Sequence, residues 1–403
     1  MRHAIAAVAL VAVLGTVVPL AGGGELKPVA KGLEDQLGGV SGTAPCGSAR
    51  GATGLTSRKA VVASFPVGTG QTVKVAVDYS QDSVTQPDLV RFDFAGTGAF
   101  NDTQVATVRW TGGNVGRFGP TTMTVQHGGR TLPVAVQGYC LNRGQEGGQG
   151  YTVGAGFVTA AEGPCQFGQK SYTVRVVDGS GNLSLRDGLK LPVLGGDPGQ
   201  AVMSQNADKV AVLSGDGKEL SWGYYGQPLC VDGAWYTFTI SDDQTSIAAS
   251  KLEVPMAELR AAAAEWRAML VGRTYVLELS GGKEPMSIPA DSYALGVCAE
   301  VALRDGRRAG EVTCTGDAKP LVKAEAGKAV ELPALTPLRG KVKAEQRGDT
   351  VVFSFESKAA SGLAVSTLFV ADEQGRMSQP KPPRVKVFDA RGKLIYQADL
   401  QYG

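Results

Sequence analysis

Short runs of alternating apolar and polar residues, each soon interrupted by glycine, constrain this chain more than any other feature. Val73-Lys-Val-Ala-Val77 alternates cleanly. Thr121-Thr-Met-Thr-Val125 runs into His127-Gly128-Gly129 and resumes as Thr131-Leu-Pro-Val-Ala-Val136, and Tyr172-Thr-Val-Arg-Val-Val177 follows. A period of two places successive side chains on opposite faces of a strand. Glycine supplies the positive φ that tight turns require. Fifty-five glycines recur through the 403 residues, the texture of many short strands. The expected fold class is mainly β: tandem β-sandwich (immunoglobulin-like) domains with one accessory α-helix.

The chain opens with Met1-Arg2-His3 and an apolar run from Ala4 to Val18, followed by Pro19, Ala21, Gly22 and Gly23. A positive end, a short apolar stretch and small residues form the three parts of a secretory signal peptide. The run is shorter than the roughly 20 residues of a membrane-spanning helix. Residues 1–23 are therefore expected to be a cleaved signal, giving an exported protein of the periplasm, cell surface or extracellular space. No second run long enough to span a bilayer follows.

Composition and punctuation divide the remainder. Residues 24–56, rich in Gly, Ser, Thr and Ala, read as a flexible linker, and 57–199 as a first β-sandwich-like domain. Leu194-Gly-Gly-Asp-Pro-Gly199 reads as a boundary, because Gly and Pro clusters mark loops. Residues 200–335 read as a β-rich domain with a helix over 255–271. Pro255 suits a first helical turn, apolar residues recur from Leu259 through Trp266 to Leu270, and Gly272 suits a helix end. Residues 336–403 read as a small C-terminal sandwich in which Val351, Phe353 and Phe355 alternate. Asp-initiated turns there place Gly375 and Gly392 at bulge positions. A faint repeat joins Asp78, Ser80 and Asp82 to Asp178, Ser180 and Asn182; a rival register sets Asp93 against Asp178.

Six cysteines in an exported chain favour disulfides. Cys298 and Cys314 lie eight residues either side of Gly306. A hairpin turning at Asp305-Gly306 brings them opposite each other, within bridging reach. Cys140 with Cys165, across the Gly-rich 144–150 stretch, is the next expected pair, which leaves Cys46 with Cys230. Zinc ligation is disfavoured because C-x₂-C spacing is absent and histidine is scarce.

Two constellations are candidate sites. Asp178, Ser180, Asn182 and Ser184, with Asp187 beyond, offer closely spaced oxygens of the kind calcium takes. Leu183 and Leu189 stand where an EF-hand needs Gly and Glu. The rival reading is a polar turn whose Asp and Asn bond their own backbone. Asp78, Ser80 and Asp82 form a weaker version. Trp222, Tyr224, Tyr225, Trp235, Tyr236 and Phe238 crowd into 17 residues of a chain only 7% aromatic. Aromatic faces suit stacking on sugars or peptides, but strand alternation consigns at least half of these rings to a core.

Catalytic groups are few. Signal cleavage leaves His127 as the one histidine, beside a Gly-Gly turn. G-x-S-x-G is absent, and no spacing singles out a carboxylate pair for glycoside cleavage. Net charge is +2 with 19% charged residues, which provides no broad basic field for nucleic acid. The leading functional expectation is a non-enzymatic structural or adhesive β protein. A glycan- or peptide-binding module, calcium-assisted or not, is the alternative, and a hydrolase with an unidentified carboxylate pair comes third. The implied partner is a cell-surface glycan or protein.

Overall fold

The computed structural model describes residues 23–400 except 38–41, 68–69, 145–149, 192–196, 317–319 and 349. The expected signal peptide therefore lies, but for Gly23, outside the described residues. The chain is mainly β, with 58% strand and 3% helix distributed over several sheets.

The first unit is a meander closed by its own leading segment. Val61–Val67, Gln71–Asp78, Leu89–Asp93, Val105–Trp110, Val115–His127, Arg130–Asn142 and Tyr151–Val158 each pair antiparallel with the next. Gly42–Pro45 then pairs with Tyr151–Val158, and Gly47–Ser48 pairs with Val61–Val67. Only Cys46 separates these two short strands, so residues 42–48 join both edges and close a barrel. Alternation fills it: Phe65, Phe92, Phe94, Phe118 and Phe157 all point inward and are buried. Phe157 meets Phe92 and Phe94 edge-on at centroid distances of 6.0 and 5.6 Å. At one rim the buried Asp78 carboxylate accepts from Arg91 Nε at 2.8 Å and from the backbone N–H groups of Thr56 and Ser57.

The second unit repeats the bridging plan with two sheets, whose other edge strands are not paired with each other among the described residues. Ala160–Phe167, Lys170–Val177, Lys209–Leu213 and Glu219–Tyr224 form one meander, and Leu229–Val231, Ala234–Ile240 and Ser246–Lys251 another. Gly24–Glu25 pairs with Ser246–Lys251, and Lys27–Pro28 pairs with Ala160–Phe167. A leading segment again bridges two edges. A Cβ on Gly24 would lie 2.1 Å from the Pro164 carbonyl oxygen, so only glycine allows this bridging. Val174, Val176, Val212, Phe167, Phe238 and Ile247 fill the interior.

In the third unit Glu265–Val271 lies between Val276–Gly281 and Asp291–Arg304. Asp291–Arg304 pairs with both Arg307–Thr315 and Pro320–Ala324. Met256–Arg260 pairs with Met286–Pro289 and runs parallel to Ala329–Glu331. Leu259, Trp266, Leu270, Tyr293 and Leu295 pack between these sheets. Val365–Ala371 extends the larger sheet at Arg307–Thr315. Beyond it stand two separate hairpins, Arg339–Arg347 with Thr350–Lys358 and Arg384–Phe388 with Leu394–Asp399.

Several expectations need correction. The accessory helix over 255–271 is two strands, Met256–Arg260 and Glu265–Val271. Trp266, Ala268 and Leu270 enter one core while Met269 and Val271 enter another. Burial on both faces mimics a helical period, the ambiguity inherent in short apolar runs. The α-helix described is Pro198–Met203, N-capped by Asp197. The 24–56 linker instead holds the strands that close the first barrel and bridge the two sheets of the second unit, too short to show a period. The boundary at 194–199, of which 194–196 lie outside the described residues, falls inside the second unit, since Lys170–Val177 pairs with Lys209–Leu213 across it. The real junction is Thr159 alone, between Tyr151–Val158 and Ala160–Phe167. In the first two units the order is a meander rather than the Greek key of immunoglobulin-like domains.

The Asp305-Gly306 turn forms, with both residues at positive φ, and Cys298 is the register partner of Cys314. The other two expected pairs are separated. Cys140 lies in the first core and Cys165 in the second, while Cys46 packs on the first core and Cys230 on the third. All six cysteines are free thiols.

Candidate functional site

The candidate calcium loop directs its polar atoms at itself. Asp178 Oδ1 accepts from the N–H groups of Ser180 and Gly181, and Oδ2 accepts from Leu183 N–H at 2.7 Å. Asn182 Oδ1 accepts from Ser184 N–H, Ser184 Oγ from Arg186 N–H, and Asp187 Oδ2 from Ser180 Oγ and Asn182 Nδ2. Asp208 joins the cluster, accepting from the N–H groups of Gly179 and Asp187. Burial raises the Asp178 and Asp208 pKa values, with repulsion from Asp187 adding at Asp178 and repulsion from Asp178 and Asp187 adding at Asp208. Among the described residues no group of three or more His, Cys, Asp or Glu is placed to share a metal ion.

The mechanical result of this bonding is clear. Leu183 is held at φ 63° and inserts into the core of the first barrel, while Leu185 enters that of the second unit. The loop rivets the two units together. Asp78, in the weaker candidate set, accepts from Arg91 and backbone N–H groups as described above. Ser80 and Asp82 bond elsewhere, to Asp88 and Ser57 respectively.

The aromatic stretch divides by burial. Trp235 is buried in the third core and donates its indole N–H to the Ser287 carbonyl at 2.8 Å. Tyr236 and Phe238 lie in the second core, Tyr236 edge-on to Phe167 at 4.9 Å. Tyr225 packs on the same core, and its hydroxyl accepts from Ile240 N–H. Trp222 and Tyr224 share the opposite face of Glu219–Tyr224, with ring centroids 5.8 Å apart.

That face lines a groove of about 1040 Å³ where the three packed units meet. Leu37 and Val158 reach it from the first unit, and Met269 and Glu278 from the third. Lys209, the cross-strand partner of Tyr224, sets its ammonium 5.6 Å from the Trp222 ring centroid, a cation–π distance. Leu220 and Met203, each 48% exposed, form an apolar rim. Glu278 Oε1 is buried without a hydrogen-bond partner. Burial pushes the Glu278 carboxyl up to about 7, with nearby Lys209 opposing the shift. Grooves between units, lined by apolar groups and a few convergent polar ones, are the usual form of ligand sites.

Of the candidate ligand residues, Trp222 lines this groove with Tyr224, which is buried in a core with Leu189 and Val271; Tyr225, Trp235 and Tyr236 serve the other cores. Sequence reasoning missed Lys209 and Glu278. Glu278 sits on a strand of another unit, so no local spacing connects it with Trp222. His127 ends a strand at the first barrel's rim. Burial and the nearby Arg130 charge lower its pKa, and no hydroxyl or carboxylate among the described residues hydrogen-bonds it. Among the described residues no helix is long and apolar enough to cross a membrane.

The fold and the groove together define a multi-unit β protein with one aromatic, mixed-charge cleft. No family model, curated protein or solved structure matches the chain.

Proposed function

We propose that this is an exported, non-enzymatic structural or adhesive protein of the cell envelope or extracellular space, and that it grips a glycan or peptide partner in the groove at Trp222. The carrying observation is the half-buried Trp222 beside Tyr224 in a cleft whose Glu278 oxygen lacks a partner. The paired buried carboxylates, Asp178 and Asp208, are committed to backbone N–H groups, which favours a structural role for them over hydrolysis. Screening the full chain against glycan and peptide arrays tests the reading. Binding that survives Trp222→Ala unchanged would remove the groove from it.

Export brings a second expectation under this reading. Cys298 and Cys314 bridge when two thiols pass two electrons and two protons to an incoming disulfide oxidant. The step belongs to folding, because in the finished fold burial pushes the Cys298 thiol up to about 12 and keeps it unreactive. Protein recovered from the native host should begin after the small-residue segment and carry a Cys298–Cys314 peptide pair in mass spectrometry. A chain retaining residues 1–23 in the cytoplasm would refute the export reading.

A further inference from the structure

We propose that the groove takes a neutral pyranoside oligosaccharide, one sugar face stacked on Trp222 and one hydroxyl donated to the Glu278 carboxyl, which turns toward the groove to accept it. The inference rests on the groove being the binding surface and goes further by naming its ligand class. Three observations select that class. First, Glu278 Oε1 is the buried side-chain polar atom without a partner among the described residues. Glu278 lines the groove and native structures rarely leave such atoms unsatisfied, so its carboxyl gains a partner by turning toward a donor there.

Second, the charges in the groove oppose each other. A ligand ammonium drawn to Glu278 also meets Lys209, and a ligand carboxylate or phosphate drawn to Lys209 also meets Glu278. A hydroxyl both donates and accepts. It therefore satisfies Glu278 in either protonation state, and both states are populated near neutral pH. Third, the Trp222 ring lines the cleft while Lys209 above it is exposed. The flexible lysine stem can swing off the ring and donate to a second hydroxyl. The volume, about 1040 Å³, lies at the upper end of small-ligand sites and suits a short oligosaccharide.

The test is calorimetry and tryptophan fluorescence on the full chain with cellotriose, tri-N-acetylchitotriose and maltotriose. At least one should bind more tightly than about 1 mM. Trp222→Ala and Glu278→Leu should each weaken it about tenfold or more. Ser280→Trp keeps the result decisive should Trp222→Ala fail to fold. Ser280 is exposed and lines the groove, so a bulky ring there blocks the cleft without removing packed groups. The proposal is overturned if no trisaccharide binds, or if binding is unchanged in Ser280→Trp. An uncharged pentapeptide of Ala, Ser and Tyr serves as the comparison ligand. Peptide binding lost in Ser280→Trp, with no trisaccharide binding, overturns the carbohydrate class and leaves the groove as a binding surface. Binding of neither overturns both.

Discussion

The first barrel and the C-terminal hairpins are written in the same sequence style and fold to opposite ends. Both alternate apolar and polar residues along antiparallel strands. In the barrel, Phe65, Phe92 and Phe157 converge on a closed interior. In the hairpins, Phe388, Ile395 and Tyr396 stay 55%, 61% and 53% exposed. The difference is how completely the apolar face is enclosed: the two hairpins face each other only across a cleft lined by Val351, Phe353, Phe355, Val385 and Tyr396. Residues 42–48 close the first sheet on itself, whereas each C-terminal hairpin is a sheet of two strands. Alternation makes a face apolar; only a second layer buries it.

The sharpest way to break that comparison is to hollow out the barrel. Phe92→Ala should cost about 3–5 kcal/mol in chemical denaturation followed by hydrogen exchange at Val75 and Val134. A loss under about 1 kcal/mol would mean the interior collapses freely and is not tightly packed. The rivet between the first two units comes next. Leu183→Ala should cost about 2–4 kcal/mol and loosen exchange in both units together. Loss confined to one of them would show that the loop does not couple the two.

Glu278 sharpens the picture at the groove through pH. Its folded pKa, raised from 4.5 to about 7, means the fold retains a proton that the unfolded chain has already lost. Stability from this group falls as pH rises from about 4.5 through 7, and the penalty is complete above. Glu278→Gln should therefore leave stability unchanged at pH 4 and raise it by up to about 3 kcal/mol at pH 8. Equal effects at both pH values would contradict a buried, unpaired carboxyl.

At the other end of the comparison, Phe388→Ala should cost under about 0.5 kcal/mol, as exposed positions do. A larger loss would reveal a covering layer over the hairpins. Smallest of all is the response to calcium. Because the Asp178 loop bonds its own backbone, the melting temperature should be the same in millimolar calcium and in chelator. A rise in calcium would show a ligand specific to the folded state.

Much of the fold was legible. Alternation marked Gln71–Asp78, Arg130–Asn142 and Lys170–Val177. Two Asp-Gly turns, Asp232-Gly233 and Asp305-Gly306, form with both residues at positive φ, and the second sets Cys298 opposite Cys314. The faint repeat was also real in position. Asp78 ends the second meander strand of the first barrel, and Asp178 directly follows that of the second unit. The hydrogen bonds of the rival register are real too: Asp93, like Asp178, accepts backbone N–H groups two and five residues ahead.

The closing strands were not legible, because strands of two to four residues leave no period to detect. Nor was the 255–271 region, where apolar side chains serve two cores. The candidate site was half visible: Trp222 and Tyr224 stood out as aromatics, but nothing nearby named Lys209 or Glu278.

By itself, then, the sequence determined the longer alternating strands, their turns and which face of each is apolar, since these depend on neighbours one to four residues away. Tertiary structure alone decided what closes the first barrel and bridges the second unit, which aromatics are core, that Cys46, Cys140, Cys165 and Cys230 do not meet in the expected pairs, and that Glu278 and Trp222 line one groove. Those outcomes depend on contacts between residues far apart in the chain, and packing selects them only once whole sheets are assembled.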